Sequence, residues 1–298
     1  METHGETRFM LKGENVIQIY YGNEAFGPGK VVQNLTRGLQ ILKVNYFTNP
    51  LDLNPEYPAY CLSQHPILRK EYDNIEHLVI GPNLCVIPCD IPWILEQRYK
   101  AMVVPSLWVK RLYEKWLSPD KIHVWPVGID SSKYAPSSSD KTTDCLLYFK
   151  DRGEQELRHA ESLLQKHRQS YKVLRYGAYS PENFDSLTSE CRYSFLLDNT
   201  ESQGIAIQEM MSCNLPIFVW DKGLWDHRGE EHACTATSVP YWNDSCGEKT
   251  EDSHLLSQFF EKFLGNLNNY SPRAFIKENL ALKKQAQAFL SIYENSKL

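Results

Sequence analysis

Residues 192–221 constrain this chain more than any other stretch. A short apolar run at 193–197 is followed by polar residues and then a glycine at 204. Ile207, Met210 and Met211 come next at helical spacing, and a second apolar run is entered through Asn214 and Pro216. That order predicts strand, loop, helix, strand. A glycine at the helix entry lets backbone approach a ligand closely. The unpaired amides of the first turn, with the helix dipole, favour an anion there. Glu201 stands before the turn and Glu209 lies inside the helix, so two carboxylates border the anion site and can accept hydrogen bonds from hydroxyls. A ligand carrying both phosphate and sugar suits that combination. A plain helix N-terminus with solvated glutamates accounts for the same residues through the dipole alone.

The rest of the chain repeats the alternation of strand and helix. Residues 15–21 read as a first strand ending in a glycine-rich turn, Gly22 to Lys30, that contains Gly27 and Gly29. A helical face follows at Val31, Val32, Leu35, Leu39 and Leu42. The glycines are not spaced as in the dinucleotide fingerprint GxGxxG, and a plain strand-to-helix turn is the alternative. Strands are predicted at 43–47, 77–80, 100–105 and 121–127, with residues 48–74 as an irregular connection holding one short helix. Ser106 is a natural N-cap for a helix over 107–116.

Residues 136–143 carry no apolar period and read as a linker. Beyond them a strand at 144–149 runs into Lys150 and Arg152. Cations at a strand's carboxyl end can pair with a diphosphate, Arg through two parallel hydrogen bonds, although a solvated basic turn has the same composition. A charged helix over 154–170 leads to a strand at 171–177 and then to Tyr179, which can stack on a ring or pack internally. A capped helix covers 181–190. Residues 221–231 form a polar loop with Trp225, His227 and Arg228, followed by a strand at 235–242, a helix at 252–267 and a long amphipathic segment from Pro272 to Tyr293.

A length of 298 residues favours about two domains. A net charge of −5 argues against a protein that coats nucleic acid, while leaving room for a local basic pocket. The eight cysteines are scattered, form no CxxC pair, and Cys85 and Cys89 have no histidines at zinc spacing, so reduced thiols in a cytoplasmic protein are expected and a metal site is not. No signal peptide opens the sequence, and no window approaches the ~20 apolar residues that span a bilayer. Membrane contact is expected to be peripheral at most.

Glu201 and Glu209 are separated as Glu-x7-Glu, within Ser-Gln-Gly-Ile-Ala-Ile-Gln-Glu and ahead of Asn-Leu-Pro-Ile. This resembles the second-domain motif of the retaining glycosyltransferases of the GT-B fold (group 1, family 4-like). Glu6/Glu14 and Glu182/Glu190 share the separation without the surroundings, so the surroundings carry the resemblance. A second match precedes it. Residues 103–112 (Val-Val-Pro-Ser-x-Trp-Val-Lys-Arg-Leu) and 121–130 (Lys-Ile-x-Val-x-Pro-x-Gly-Ile-Asp) resemble the end of that family's first domain. Residues from about 15 to 290 can be laid on the pattern, weakly between 48 and 98.

The resemblance implies an α/β protein of two Rossmann-like domains facing a cleft, with a C-terminal helix crossing back to the first. The implied division is an acceptor-side domain over 1–135, a linker at 136–143, a nucleotide-sugar domain over 144–271 and the returning helix at 272–298. The implied activity moves a sugar from a UDP- or GDP-sugar to a hydroxyl of a glycan or lipid-linked acceptor. The anomeric configuration is retained, with no metal and no cofactor beyond that co-substrate. By the same resemblance Glu201 holds a hydroxyl of the transferred sugar and Glu209 the ribose, while Lys150, Arg152 and the turn at Gly204/Ile205 receive the diphosphate. Tyr179 lies beside the base, and Gly27 and Gly29 close over the donor or acceptor. Asn83 stands where many relatives have a histidine, and His65 and His77 are read as structural. An epimerase of nucleotide sugars and a non-catalytic carbohydrate-binding scaffold of the same shape remain alternatives.

Overall fold

A computed structural model of the chain describes residues 16–22, 26–68, 75–138 and 140–296, without the side chain of Phe26. The polar lead, the middle of the glycine-rich turn at 23–25 and residue 139 of the predicted linker lie outside the described residues.

The first sheet holds β1 (Val16–Tyr20), β2 (Asn45–Thr48), β3 (Ala59–Ser63), β4 (Leu78–Asn83), β5 (Ala101–Val104) and β6 (Ile122–Val124) in the order β2-β1-β3-β4-β5-β6. Every pairing is parallel. Helix α1 (Phe26–Leu42) crosses from β1 to β2, and α2 (Leu107–Tyr113) from β5 to β6. Parallel strands need such crossovers, and the helices then bury the sheet on both faces. Side-chain alternation sorts the strands accordingly: Ile17, Ile19, Tyr60 and Val79 join one core, while Tyr20, Cys61, Leu78 and Ile80 join the other.

The second sheet is built alike from β7 (Thr143–Lys150), β8 (Tyr171–Arg175), β9 (Cys191–Asp198), β10 (Ile217–Trp220) and β13 (Gly247–Thr250), in the order β13-β10-β9-β7-β8 and parallel throughout. Helices α3 (Glu154–Lys166), α4 (Pro181–Glu190) and α5 (Ile205–Ser212) connect its strands. Because β7 is followed by β8 on one side and neighbours β9 on the other, the carboxyl ends of β7 and β9 flank a topological switch point, where open α/β sheets bind ligands.

A two-stranded antiparallel ribbon, β11 (Leu224–Trp225) with β12 (Cys234–Thr235), leaves the second sheet and packs on the first, where Trp225 and Ala236 enter its core. The loop at 221–231, read from sequence as polar edge or surface, is a clasp anchored by the buried Trp225, while its residues 226–231 are exposed. Arg228 pairs with Asp90 at 2.7 Å, and Lys115 Nζ donates to the carbonyls of His232 and Ala233.

After α6 (Leu256–Gly265) the terminal segment is two helices, α7 (Pro272–Asn279) and α8 (Leu282–Asn295), rather than one. The break falls where the Ile129 amide donates to the Leu280 carbonyl at 2.7 Å. Helix α8 then returns to the first sheet and lies on α1. Phe289 packs between Tyr60 and Trp125 at ring separations of 4.3 and 4.5 Å, and Trp125 Nε1 donates to the Gln285 carbonyl at 2.8 Å. Gly38 makes the approach possible, because a Cβ there would lie 2.7 Å from the Ala286 Cβ.

Three strands depart from the sequence reading. Residues 59–63, predicted irregular, form the fully buried β3, which shows no alternation because both of its faces are covered. The strand expected at 235–242 reduces to the short β12, and the fifth strand of the second sheet is Gly247–Thr250, a polar edge segment. All eight cysteines are free thiols. Among the described residues no helix is long and apolar enough to cross a membrane, and no group of His, Cys, Asp or Glu side chains is gathered as a metal site.

Candidate active site

The carboxyl ends of β7 and β9 place Lys150 opposite Asp198 in register. Lys150 Nζ lies 2.6 Å from Glu201 Oε1 and 4.0 Å from Asp198 Oδ2. Burial works against the lysine's charge, but the two carboxyl groups outweigh it and hold the ammonium above its ordinary value. The Tyr176 ring covers the ammonium at 4.6 Å. The loop carrying Glu201 is fixed from both domains: its amide donates to the Thr237 carbonyl at 3.1 Å, and its carbonyl accepts Trp108 Nε1 of α2 at 2.9 Å.

Gly204 caps α5 in the left-handed region at φ 78°, a conformation that costs a glycine little and other residues more. Gln203 beside it docks this turn onto the first domain, accepting the Val127 amide and donating to the Val127 carbonyl, both at 3.1 Å. Ile205 touches cores of both domains. The turn predicted to receive an anion thus lies where the two domains meet.

Glu209, one helical turn further on, is 1% exposed and holds an ion pair across that boundary. Lys30 of α1 donates to its two oxygens at 2.8 and 2.6 Å, and the Tyr134 hydroxyl also bonds it. Burial pushes the Glu209 carboxyl up from its ordinary value, and Lys30 and Tyr134 pull it part of the way back. Sequence reasoning did not single out Lys30. The signal was present, since it is the first cation after Gly27 and Gly29.

The other predicted residues fall out as follows. Tyr179 stacks on Phe184 at 5.8 Å and packs against the second-domain core. Arg152 is almost entirely buried and engaged with the protein: Nε and Nη2 donate to Glu156 Oε1, and Nη1 donates to the carbonyls of Asp198 and Trp220. Its guanidinium also lies over the Trp220 ring at 5.1 Å. Gly27 and Gly29, expected in a loop, belong to the first turn of α1, because Phe26 already has helical backbone. Gly29 lines an open cavity of about 480 Å³ with Tyr21, Gln33, Thr36, Tyr46 and Thr48. Asn83 ends β4 with its Nδ2 unpartnered. His65 accepts the Ile67 amide at 3.1 Å and shapes a turn. The site also holds a carboxyl the sequence reading passed over, Asp198, which is fully buried.

Solved structures share this architecture. The lipopolysaccharide outer core galactosyltransferase WaaB, in its apo form, matches with a TM-score of 0.57 at 11% identity over 93% of this chain and 98% of that one. The N-terminal domain of Candida albicans trehalose-6-phosphate phosphatase gives 0.60 at 11% identity over 99% and 100%. A point mutant of S. aureus TarM, in complex with Fondaparinux, alpha-GlcNAc-glycerol and UDP, gives 0.56 at 12% identity over 88% of this chain, which spans 59% of the TarM chain. No protein-family model matches the sequence, and no curated protein matches it. At such identities the likeness is one of fold. That fold is GT-B: two Rossmann-like α/β domains with a final helix returning to the first.

Proposed function

We propose that this protein is a glycosyltransferase that moves a sugar from a UDP- or GDP-sugar to a hydroxyl of a glycan or glycoconjugate, with retention at the anomeric carbon. The observation that carries the reading is the Lys150–Glu201 pair, 2.6 Å apart at the switch point of the second sheet and just ahead of the α5 turn. A cation and helix amides beside a carboxylate meet the two demands of such a donor, a diphosphate and sugar hydroxyls. That TarM was solved with UDP and WaaB is a galactosyltransferase agrees with this choice of donor.

In the reaction the bond from the anomeric carbon to the diphosphate oxygen breaks, and its electron pair leaves with the diphosphate. The acceptor oxygen bonds the same carbon on the same face and passes its proton to the departing phosphate oxygen. Lys150 and the first-turn amides of α5 stabilise the charge that develops on the leaving group, and Glu201 orients a hydroxyl of the sugar. Glu209 takes the ribose hydroxyls once Lys30 releases it, and Lys30, so freed, faces the diphosphate from the other domain. Arg152, engaged by Glu156 and two carbonyls, supports the loop instead. Leaving-group charge is met by ammonium groups and amides, so the reading calls for no metal ion. The cavity beside Gly29, lined by tyrosines and neutral polar groups, suits an uncharged sugar acceptor.

A thermal-shift panel of UDP-, GDP- and ADP-sugars tests this directly, since a ligand of the native state raises the midpoint by mass action. We expect a UDP- or GDP-sugar to raise it, and Glu201→Gln to lose transfer about a hundredfold while folding normally. No shift with any donor at saturation overturns the reading.

A further inference from the structure

Asp198 ends β9 with its side chain wholly enclosed. Oδ1 accepts the Asn199 amide at 2.6 Å. Oδ2 receives no hydrogen bond from any donor, although it stands 4.0 Å from Lys150 Nζ, which the Glu201 carboxyl shares. Lys150 itself is spent on Glu201 at 2.6 Å. A buried carboxylate oxygen with no donor is costly, and two carboxylates around one ammonium leave a net negative charge out of water. Both difficulties vanish if Oδ2 carries a proton, because it then becomes a donor and Glu201 is its acceptor.

We propose that Asp198 is a carboxylic acid in the resting protein, donating from Oδ2 to Glu201, and that this shared proton positions Glu201 and Lys150 for the donor sugar. Its catalytic half rests on the glycosyl-transfer reading; the protonation does not. Other groups face the pair from each neighbouring element. Tyr148 belongs to β7, and Tyr176, beyond β8, covers Lys150. Arg152 donates to the Asp198 carbonyl, and His227 of the ribbon meets Asn199 Nδ2 at 3.1 Å. None of these side chains is bonded to Oδ2. Burial, and then the Glu201 charge, push the Asp198 carboxyl well above the ordinary carboxylate range against the pull of Lys150. When the proton is lost at high pH, Asp198 competes for Lys150 and draws the ammonium away from the phosphate.

Two measurements test this on the full chain. Infrared difference spectra of wild type against Asp198→Asn, without any ligand, should contain a protonated-carboxyl band at neutral pH that fades as pH rises; absence of the band overturns the proposal. In transfer assays Asp198→Ala should lower kcat/KM about ten- to hundredfold. Asp198→Asn should restore most of that loss, because its amide donates to Glu201 without ionising, and should also flatten the alkaline fall in rate. Equal loss in both variants, or an unchanged pH profile in Asp198→Asn, overturns the positioning role. If wild type transfers no sugar from any donor, the positioning role falls with the functional reading, and the infrared band still decides the proton.

Discussion

Lys30 and Glu209, far apart in sequence, form a two-pronged ion pair across the domain boundary, with Nζ 2.8 and 2.6 Å from the two carboxylate oxygens. The lysine is 37% exposed and the glutamate 1%. The pair therefore has a wet end and a dry end. Lys30 can leave at modest cost, whereas Glu209 cannot follow it into solvent. A ligand offering hydroxyls to Glu209 and phosphate to Lys30 replaces both halves of the contact at once.

Lys30→Gln should accordingly destabilise the protein by about 1–2 kcal/mol. That is less than a fully buried pair loses, because water reaches the lysine side. The sign with pH follows from Glu209, whose folded value is raised above its unfolded one by burial. Such a group favours the folded state most below its unfolded value, and that advantage is lost as pH rises through the folded value. Without Lys30 the folded value climbs further, so the deficit of Lys30→Gln against wild type should shrink toward acid and grow toward neutral pH. Urea unfolding at several pH values checks this; a deficit that grows toward acid would contradict it.

Lys150 serves two carboxyl groups and Glu201 serves one lysine, so the two halves of that pair are not equivalent. Lys150→Ala leaves Asp198 and Glu201 facing each other with no cation and should cost about 3 kcal/mol. Glu201→Ala leaves Lys150 with Asp198, which can then ionise and take its place, and should cost less. Unfolding midpoints of the two variants give the order directly. The reverse order would mean that the ammonium, not the carboxyl pair, is the group most in need of its partner.

The ribbon makes a third prediction. Trp225 is 5% exposed in the first-sheet core, while Arg228 and Asp90 pair near the surface. Trp225→Ala should lose about 3–5 kcal/mol, and Arg228→Ala no more than about 1 kcal/mol. Limited proteolysis should cut within 222–236 faster in Trp225→Ala than in wild type. Equal protection in the two would mean that the clasp is held by its charges.

The sequence made the alternation of strands and helices legible wherever apolar periods were long. It also marked the Gly204 turn, both glutamates and Lys150, because a glycine, a cap or a strand-end cation leaves a local signature. What it missed was non-local. β3 looked irregular because a strand covered on both faces loses its alternation, and β13 looked like loop because an edge strand needs few apolar residues. Lys30 and Asp198 matter through partners that only the fold brings near, 179 residues away for Lys30. Arg152 had the right chemistry in the right place, yet its donors were claimed by Glu156 and two carbonyls, which no spacing rule announces.

The returning helix gives the last prediction. At Gly38 even a methyl group would meet the Ala286 Cβ at 2.7 Å and the Leu282 carbonyl oxygen at 2.8 Å, so α1 and α8 touch nearly backbone to backbone. Gly38→Ala gains helix propensity of about 1 kcal/mol in α1. It also forces the two helices apart, and overpacking of this kind costs about 1–3 kcal/mol. The net should be destabilising. Adding Ala286→Gly removes one of the two clashing atoms but not the Leu282 carbonyl, so the double variant should recover part of the loss and no more. Thermal midpoints of wild type, the two single variants and the double decide it. Full recovery would mean that the side chain alone sets the spacing, and an increase in stability for Gly38→Ala would mean that α8 does not lie this close to α1.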